Sequence, residues 1–160
     1  MIRRSNLARR AIVVNPNNSW AHDSLNSAYL RSGQCEKGVE YFDNLVHLSP
    51  QDLDYQIAKS RAHFCLKQYD RAIESARRAI AIKPNSWIHA ILVAALALDG
   101  HEAEAHEALQ RYLALPEASR TIAAQKSIKA QDTSTHTDPR YLDAWDRFIA
   151  GLREAGLPEE

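Results

Sequence analysis

The chain has 160 residues, enough for one domain of ordinary size with a real core. It is 45% hydrophobic and 25% charged, and 20 Lys and Arg balance 20 Asp and Glu to a formal charge of zero, which argues against a dedicated nucleic-acid binder. No apolar run reaches the roughly 20 residues needed to cross a bilayer. The densest stretch, Ile88 to Leu98, contains His89 and reads as a buried helix, and no apolar segment with a cleavage site marks a signal peptide at the N-terminus. Cys35 and Cys65 are too few for a disulfide framework and show no CxxC spacing. They predict two reduced thiols and a cytoplasmic protein.

In chain order, the first apolar stripe is Leu7, Ala8, Ala11, Ile12 and Val14, ended by Pro16. Arg3, Arg4, Arg9 and Arg10 accompany it as a basic, solvated face. Trp20, Leu25, Ala28 and Tyr29 then fall at helical spacing until Ser32-Gly33-Gln34 breaks the pattern. Val39, Phe42, Leu45, Val46 and Leu48 form the next stripe, ended by Pro50. Ala58, Ala62 and Leu66, a turn at Lys67-Gln68, and a stripe from Tyr69 to Ile82 repeat the arrangement up to Pro84. Ile88, Ile91, Leu92, Ala95 and Leu98, a turn at Asp99-Gly100, and Ala105, Ala108, Leu109, Tyr112 and Leu113 repeat it again.

These stripes share one period. Pro16, Pro50 and Pro84 are 34 residues apart, and Val14, Leu48 and Ile82, then Ile12, Val46 and Ile80, keep the same step. After Pro84 the step slips by one, because Ala105, Leu109, Tyr112 and Leu113 continue the columns at a spacing of 33. Internal repetition of this length predicts a stacked array in which each unit needs neighbours to bury its face. The prolines cannot continue a helix, and Asn17, Asn18, Asp52, Asn85 and Ser86 follow them as candidate N-caps. Small residues at Gly38, Ala72 and Ala105 let antiparallel helices approach closely. Beyond Pro116 a helix is predicted over Ala118 to Ala130, then a polar loop from Gln131 to Thr137. Asp138-Pro139 opens a final helix to Ala155, with a stripe of Tyr141, Leu142, Trp145, Phe148, Ile149 and Leu152.

The repeat resembles the tetratricopeptide repeat (TPR): Leu25, Tyr29, Gly38, Phe42, Leu45 and Pro50 occupy favoured places in one unit, and Ala72, Ala79 and Pro84 in the next. In that next unit Lys59 and His63 stand where Leu and Tyr are favoured. The resemblance implies an all-α fold, an α-α superhelix of antiparallel helix pairs with a C-terminal capping helix. The expected organisation is an array over residues 1–116, with an incomplete unit 1–16 and units 17–50, 51–84 and 85–116. A helix and polar loop follow over 117–137, and the capping helix and tail over 138–160. More narrowly, Phe64 to Ile73, Pro84 to Trp87, and the tail motifs Asp138 to Leu142 and Gly151 to Pro158 resemble the C-terminal repeats of bacterial class III adenylate cyclases. Similar repeats stand behind winged-helix regulators. No α/β unit with paired metal-binding carboxylates accompanies them here.

No chemistry of the chain's own is predicted. His101 and His106 are five apart, not the four that align on one helix face, and His63 and Cys65 point different ways. Cys65 or Ser60 as nucleophile lacks a base and an orienting acid, and the five glycines make no phosphate loop. Catalytic residues, metal and cofactor are therefore all expected to be absent. In TPR arrays the first helix of each unit lines a concave groove. Carried over, the groove positions are Trp20, Asp23, Ser24, Ser27, Leu30 and Arg31, then Asp54, Ile57, Arg61 and Phe64, then Ile88, Ile91, Ala95 and Leu98. Asp23 and Ser27 stand where some TPR proteins carry part of a clamp for acidic chaperone tails, so that ligand is disfavoured.

The expected function is a non-enzymatic scaffold that presents this groove to a peptide or helix, with no nucleic acid and no membrane among its partners. Self-association through the incomplete N-terminal unit is a second expectation. A groove filled by the chain's own residues, and a regulatory or oligomerising appendage of a cyclase or transcriptional regulator, remain alternatives.

Overall fold

The computed structural model describes residues 2–133 and 138–160, and among these the chain forms nine helices and no strand. They are α1 (Ile2–Val14), α2 (Ser19–Arg31), α3 (Cys35–Leu48), α4 (Leu53–Cys65), α5 (Tyr69–Ile82), α6 (Ser86–Leu98), α7 (Glu102–Leu113), α8 (Ile122–Asp132) and α9 (Pro139–Glu154). From residue 134 on, the expected polar loop lies outside the described residues, as do the side chains of Arg3 and Arg4.

Caps fix where the first helix of each hairpin begins. The side-chain oxygens of Asn18, Asp52 and Asn85 accept from the amides of Ala21, Tyr55 and Ile88 at 3.1, 3.1 and 3.0 Å. Each such bond satisfies an amide that the helix itself leaves without a partner. The first two caps stand two residues after a proline, whereas Asn85 directly follows Pro84. That shorter link is the origin of the one-residue slip: α4 starts 34 residues after α2, but α6 starts 33 after α4. α4 itself keeps register, with His63 buried in the column of Tyr29 and its Nδ1–H donating to Gln68 Oε1 at 2.7 Å.

Successive helices pack as antiparallel neighbours, α3 on α4, α4 on α5, α5 on α6 and α6 on α7. α2 also packs on α4 and α4 on α6, so the first helices lie side by side as one inner layer. Small residues make this closeness possible. A Cβ on Gly38 would sit 3.4 Å from Ala62 Cβ, and Ala72 and Ala105 are fully buried. α6 differs from the other helices, since every residue from Ile88 to Leu96 is buried. A helix that is apolar all round must be covered on all sides.

The two cysteines correct the sequence reading, because they are joined as a disulfide with their Cα atoms 6.1 Å apart. Cys35 is the first residue of α3 and Cys65 the last of α4. Antiparallel packing of α3 on α4 brings these two ends together across 30 residues of sequence, which no CxxC-type spacing would reveal. Joined in this way, the two cysteines do not point to the cytoplasm. No helix of the described residues is long and apolar enough to cross a membrane.

The C-terminal third folds back on the array. α8 begins at Ile122, four residues later than expected, because Thr121 caps it by accepting from Ala124 N at 3.1 Å. Its first amides, Ile122 N and Ala123 N, donate to the carbonyls of Pro158 and Glu159 at 2.8 and 3.0 Å, so the tail also serves as a cap. Tyr112 organises the link before it: its hydroxyl donates to Ser119 O at 2.9 Å and accepts from Ser119 N and Gln125 Nε2.

Candidate partner-binding face

The inner layer of α2, α4 and α6 carries the candidate groove, and its two ends meet different surroundings. At the end nearer the N-terminus, Trp20 is 73% exposed, Asp23 and Asp54 are exposed, and Ser27 and Ile57 are half-buried. Arg61 reaches Asp23 at 3.5 Å and lies over the Trp87 ring at 5.9 Å. A pair this open to solvent contributes little to stability. At the other end, Leu30 and Phe64 are buried. What covers them is α9.

α9 stacks mainly on α6 of the last hairpin, as the expected cap, and also reaches over α4 to the end of α2. Asp138 N donates to Arg31 O at 2.9 Å and Arg140 Nη1 to Gly33 O at 3.2 Å, which fixes its start. The Arg147 guanidinium donates to Phe64 O at 3.1 Å, Cys65 O at 3.0 Å and the Tyr69 hydroxyl at 2.9 Å. Those two carbonyls end α4, where Phe64 O accepts from the turn amide of Lys67 at 3.1 Å, and Arg147 adds a side-chain donor to both. Phe148 stands 6.2, 5.5 and 5.4 Å from the rings of Phe64, Trp87 and Trp145, centroid to centroid. Such tilted and edge-on aromatic packing adds to the burial energy.

Asp132, the last residue of α8, ties this corner together. Its carboxylate accepts from Tyr141 Oη at 2.7 Å and Trp145 Nε1 at 2.9 Å, and pairs with Arg31. Arg31, expected on the groove, thus helps to hold α9. Burial, opposed by Arg61 and reinforced by Asp132, pushes the Tyr141 hydroxyl above its ordinary pKa, so it stays a donor to Asp132.

The α6 side of the face is not the expected set Ile88, Ile91, Ala95 and Leu98. Ile91 does line the space beneath α9, but Ile88 and Ala95 turn into the core. The slip after Pro84 moves Trp87, Ala94 and Ala97 to the positions that Asp54, Arg61 and Phe64 hold on α4. Gly151 of α9 seats against Ala94, so tightly that a Cβ would lie 2.5 Å from the Ala94 carbonyl oxygen. A cavity of about 50 Å³ remains between α9 and the layer, bordered by Leu30, Arg61, Cys65 and Ile91.

The residues weighed for chemistry have structural partners. Ser60 Oγ donates to Ala72 O at 2.9 Å, and Cys65 is in the disulfide. His63 is buried, and that burial lowers its pKa below the ordinary 6.5. His22 donates from Nε2 to Pro16 O at 2.8 Å and accepts at Nδ1 from Tyr41 Oη at 2.6 Å. Burial, with the neighbouring Tyr55 and Tyr29, raises the Tyr41 pKa to about 12. Among the described residues, no three His, Cys, Asp or Glu side chains come together as a metal site requires.

No family model matches this chain, and no curated protein matches it in sequence. Solved structures do resemble it. MamA superposes with a TM-score of 0.62 at 18% identity, covering 94% of this chain and 84% of its own. TTC0263, a thermophilic TPR protein of Thermus thermophilus, superposes with a TM-score of 0.63 at 20% identity, covering 93% and 89%. At such identities the likeness concerns the fold alone, and that fold is the TPR-like α-α superhelix.

Proposed function

We propose that this chain is a non-catalytic protein-interaction scaffold whose inner face holds a peptide or helix of another protein. One observation supports the reading most: an amphipathic helix, α9, already lies on that face, held by aromatic rings and by Arg147. A surface that binds one helix has the shape and chemistry to bind such elements in general. The free part of the face, where Trp20, Asp23, Ser27, Asp54 and Ile57 stand beside Arg61, is where a partner would make its first contacts. The mixture of an exposed aromatic with two carboxylates suits a partner carrying basic and apolar side chains.

Affinity capture with the intact chain, a Trp20→Ala/Asp54→Lys variant and an Arg61→Glu variant tests this. A partner retained by the intact chain and lost from the variants fits the proposal. Identical proteins held by all three would remove its support.

A second reading rests on α1, where Leu7, Val13 and Val14 are 64, 82 and 86% exposed. That apolar surface suits a contact with a second copy of the chain, or with the polypeptide of a cyclase or transcriptional regulator to which such a region is attached. Light scattering of the intact chain and a Val13→Glu/Val14→Glu variant separates the cases. A mass that falls to the monomer only in the variant supports self-association, and a monomer in both removes it.

A further inference from the structure

We propose that the inner face beneath α9 is a helix-binding surface latched by the Cys35–Cys65 disulfide, and that reduction opens it to an amphipathic helix of α9's own pattern. Two groups of backbone carbonyls hold the start and the middle of α9. Arg31 O, at the end of α2, and Gly33 O, in the turn that leads into Cys35, accept from Asp138 N and Arg140. Phe64 O and Cys65 O, at the end of α4, accept from Arg147. The disulfide joins these same two places, so it sets the spacing that α9 must bridge.

The fit leaves little room for change in that spacing. A Cβ on Gly33 would lie 2.4 Å from Asp138 Oδ1, so the turn and the start of α9 are in close contact. Once the bond opens, packing and the Lys59–Asp43 ion pair, further along the two helices, hold the start of α3 against the end of α4. A shift between them misplaces one group of carbonyls relative to the other, and α9 loses its two-point attachment.

Cys65 is the more exposed member of the disulfide. Cys35 is buried, but Cys65 is half-buried and borders the cavity between α9 and the layer. A thiolate of a dithiol reductant attacks Cys65 Sγ, and the electron pair of the sulfur–sulfur bond leaves with Cys35 Sγ, which takes up a proton. The reductant's second thiolate then attacks the reductant sulfur of the mixed disulfide. Cys65 is released to take up a proton, and the reductant leaves as its own disulfide. Two electrons and two protons pass to the protein.

The exposed face would select its ligand by the features that seat α9. Tyr141, Trp145, Phe148 and Leu152 supply large side chains at helical spacings of four, three and four. Gly151 permits the close approach to Ala94, and Arg147 answers the carbonyls at the end of α4. The partner is accordingly a helix with aromatic residues at these spacings, a glycine three positions after the last of them, and an arginine just before it.

Amide hydrogen exchange of the full chain, oxidised, treated with dithiothreitol, and as Cys35→Ser, tests the latch, with a fluorescein-labelled peptide of residues 138–157 as the probe. Reduction should speed exchange in α9 by about tenfold or more while α4 and α5 change little. The peptide should bind the reduced chain at least about tenfold more tightly than the oxidised one. Arg147→Ala, with the disulfide intact, should also free α9, and dithiothreitol on the natural sequence gives the answer should Cys35→Ser fail to fold. Unchanged exchange in α9, or acceleration of all helices together, would overturn the latch. Release of α9 without peptide binding would overturn the helix-binding surface, and free thiols in protein prepared under air would overturn the proposal at its root. None of these results bears on capture at Trp20 and Asp54, so the two proposals fail separately.

Discussion

The two ends of the inner layer are built from the same repeat columns yet end in opposite states. Followed through the slip after Pro84, one column reads Asp23, Ile57, Ala90, the next Ser27, Arg61, Ala94, and the next Leu30, Phe64, Ala97. Polar or large side chains on α2 and α4 give way to alanine on α6. The alanines lower the surface of α6 so that another backbone can lie against it, and Gly151 of α9 completes the fit against Ala94. Towards the N-terminus, Trp20, Asp23 and Asp54 stand in solvent. A difference of side-chain volume between successive repeats thus gives α9 its seat on α6.

The contrast can be broken most sharply at Phe148, which packs on Phe64, Trp87 and Trp145. Phe148→Ala should cost about 3–5 kcal/mol in urea unfolding, the usual loss for a buried phenylalanine. A cost near zero would mean that the rings do not meet. Gly151→Ala comes next, since its methyl group would run into the Ala94 backbone, not into a flexible side chain. It should destabilise by about 1–3 kcal/mol, although alanine favours helix. A stabilised variant would show that α9 stands further from α6.

Acidification tests the helices beneath the covered end. Burial lowers the pKa of His63 on α4 and of His89 on α6, the latter also through Arg111. Both are held neutral in the fold, while the unfolded chain binds protons below its ordinary value of about 6.5. Stability is therefore complete above that value and falls as pH drops through it, by up to about 1.4 kcal/mol per pH unit for each histidine. His63→Gln should flatten the slope, and an unchanged slope would place the titrating group elsewhere. The smallest effects belong to the open end, where Trp20→Ala and Asp54→Ala should change stability by no more than about 0.5 kcal/mol. A larger loss would show that this end is covered too.

Much of this fold is legible in the sequence because its signals are local. The prolines, the caps Asn18, Asp52 and Asn85, and the apolar stripes place each helix pair within a residue or two. The stripe of α9 is equally visible, but its seat is not. That seat depends on which alanines of α6 face inward, and the cap directly after Pro84 turns the helix by one residue relative to a strict 34-residue step. Gly151 in the middle of an amphipathic helix is the sequence signal that a close backbone contact awaits. The disulfide is hidden for a different reason: Cys35 and Cys65 become neighbours only once α3 and α4 pack antiparallel.

α9 covers one end of the inner layer and leaves the other open. Through-space NMR contacts between aromatic rings, measured on the isotope-labelled full chain, test it most directly. Cross-peaks are expected from the Phe148 ring to Phe64 and Trp87, and none from Trp20 to any residue of α9. Cross-peaks joining Trp20 to Tyr141 or Trp145, or the absence of any between Phe148 and Trp87, would contradict it.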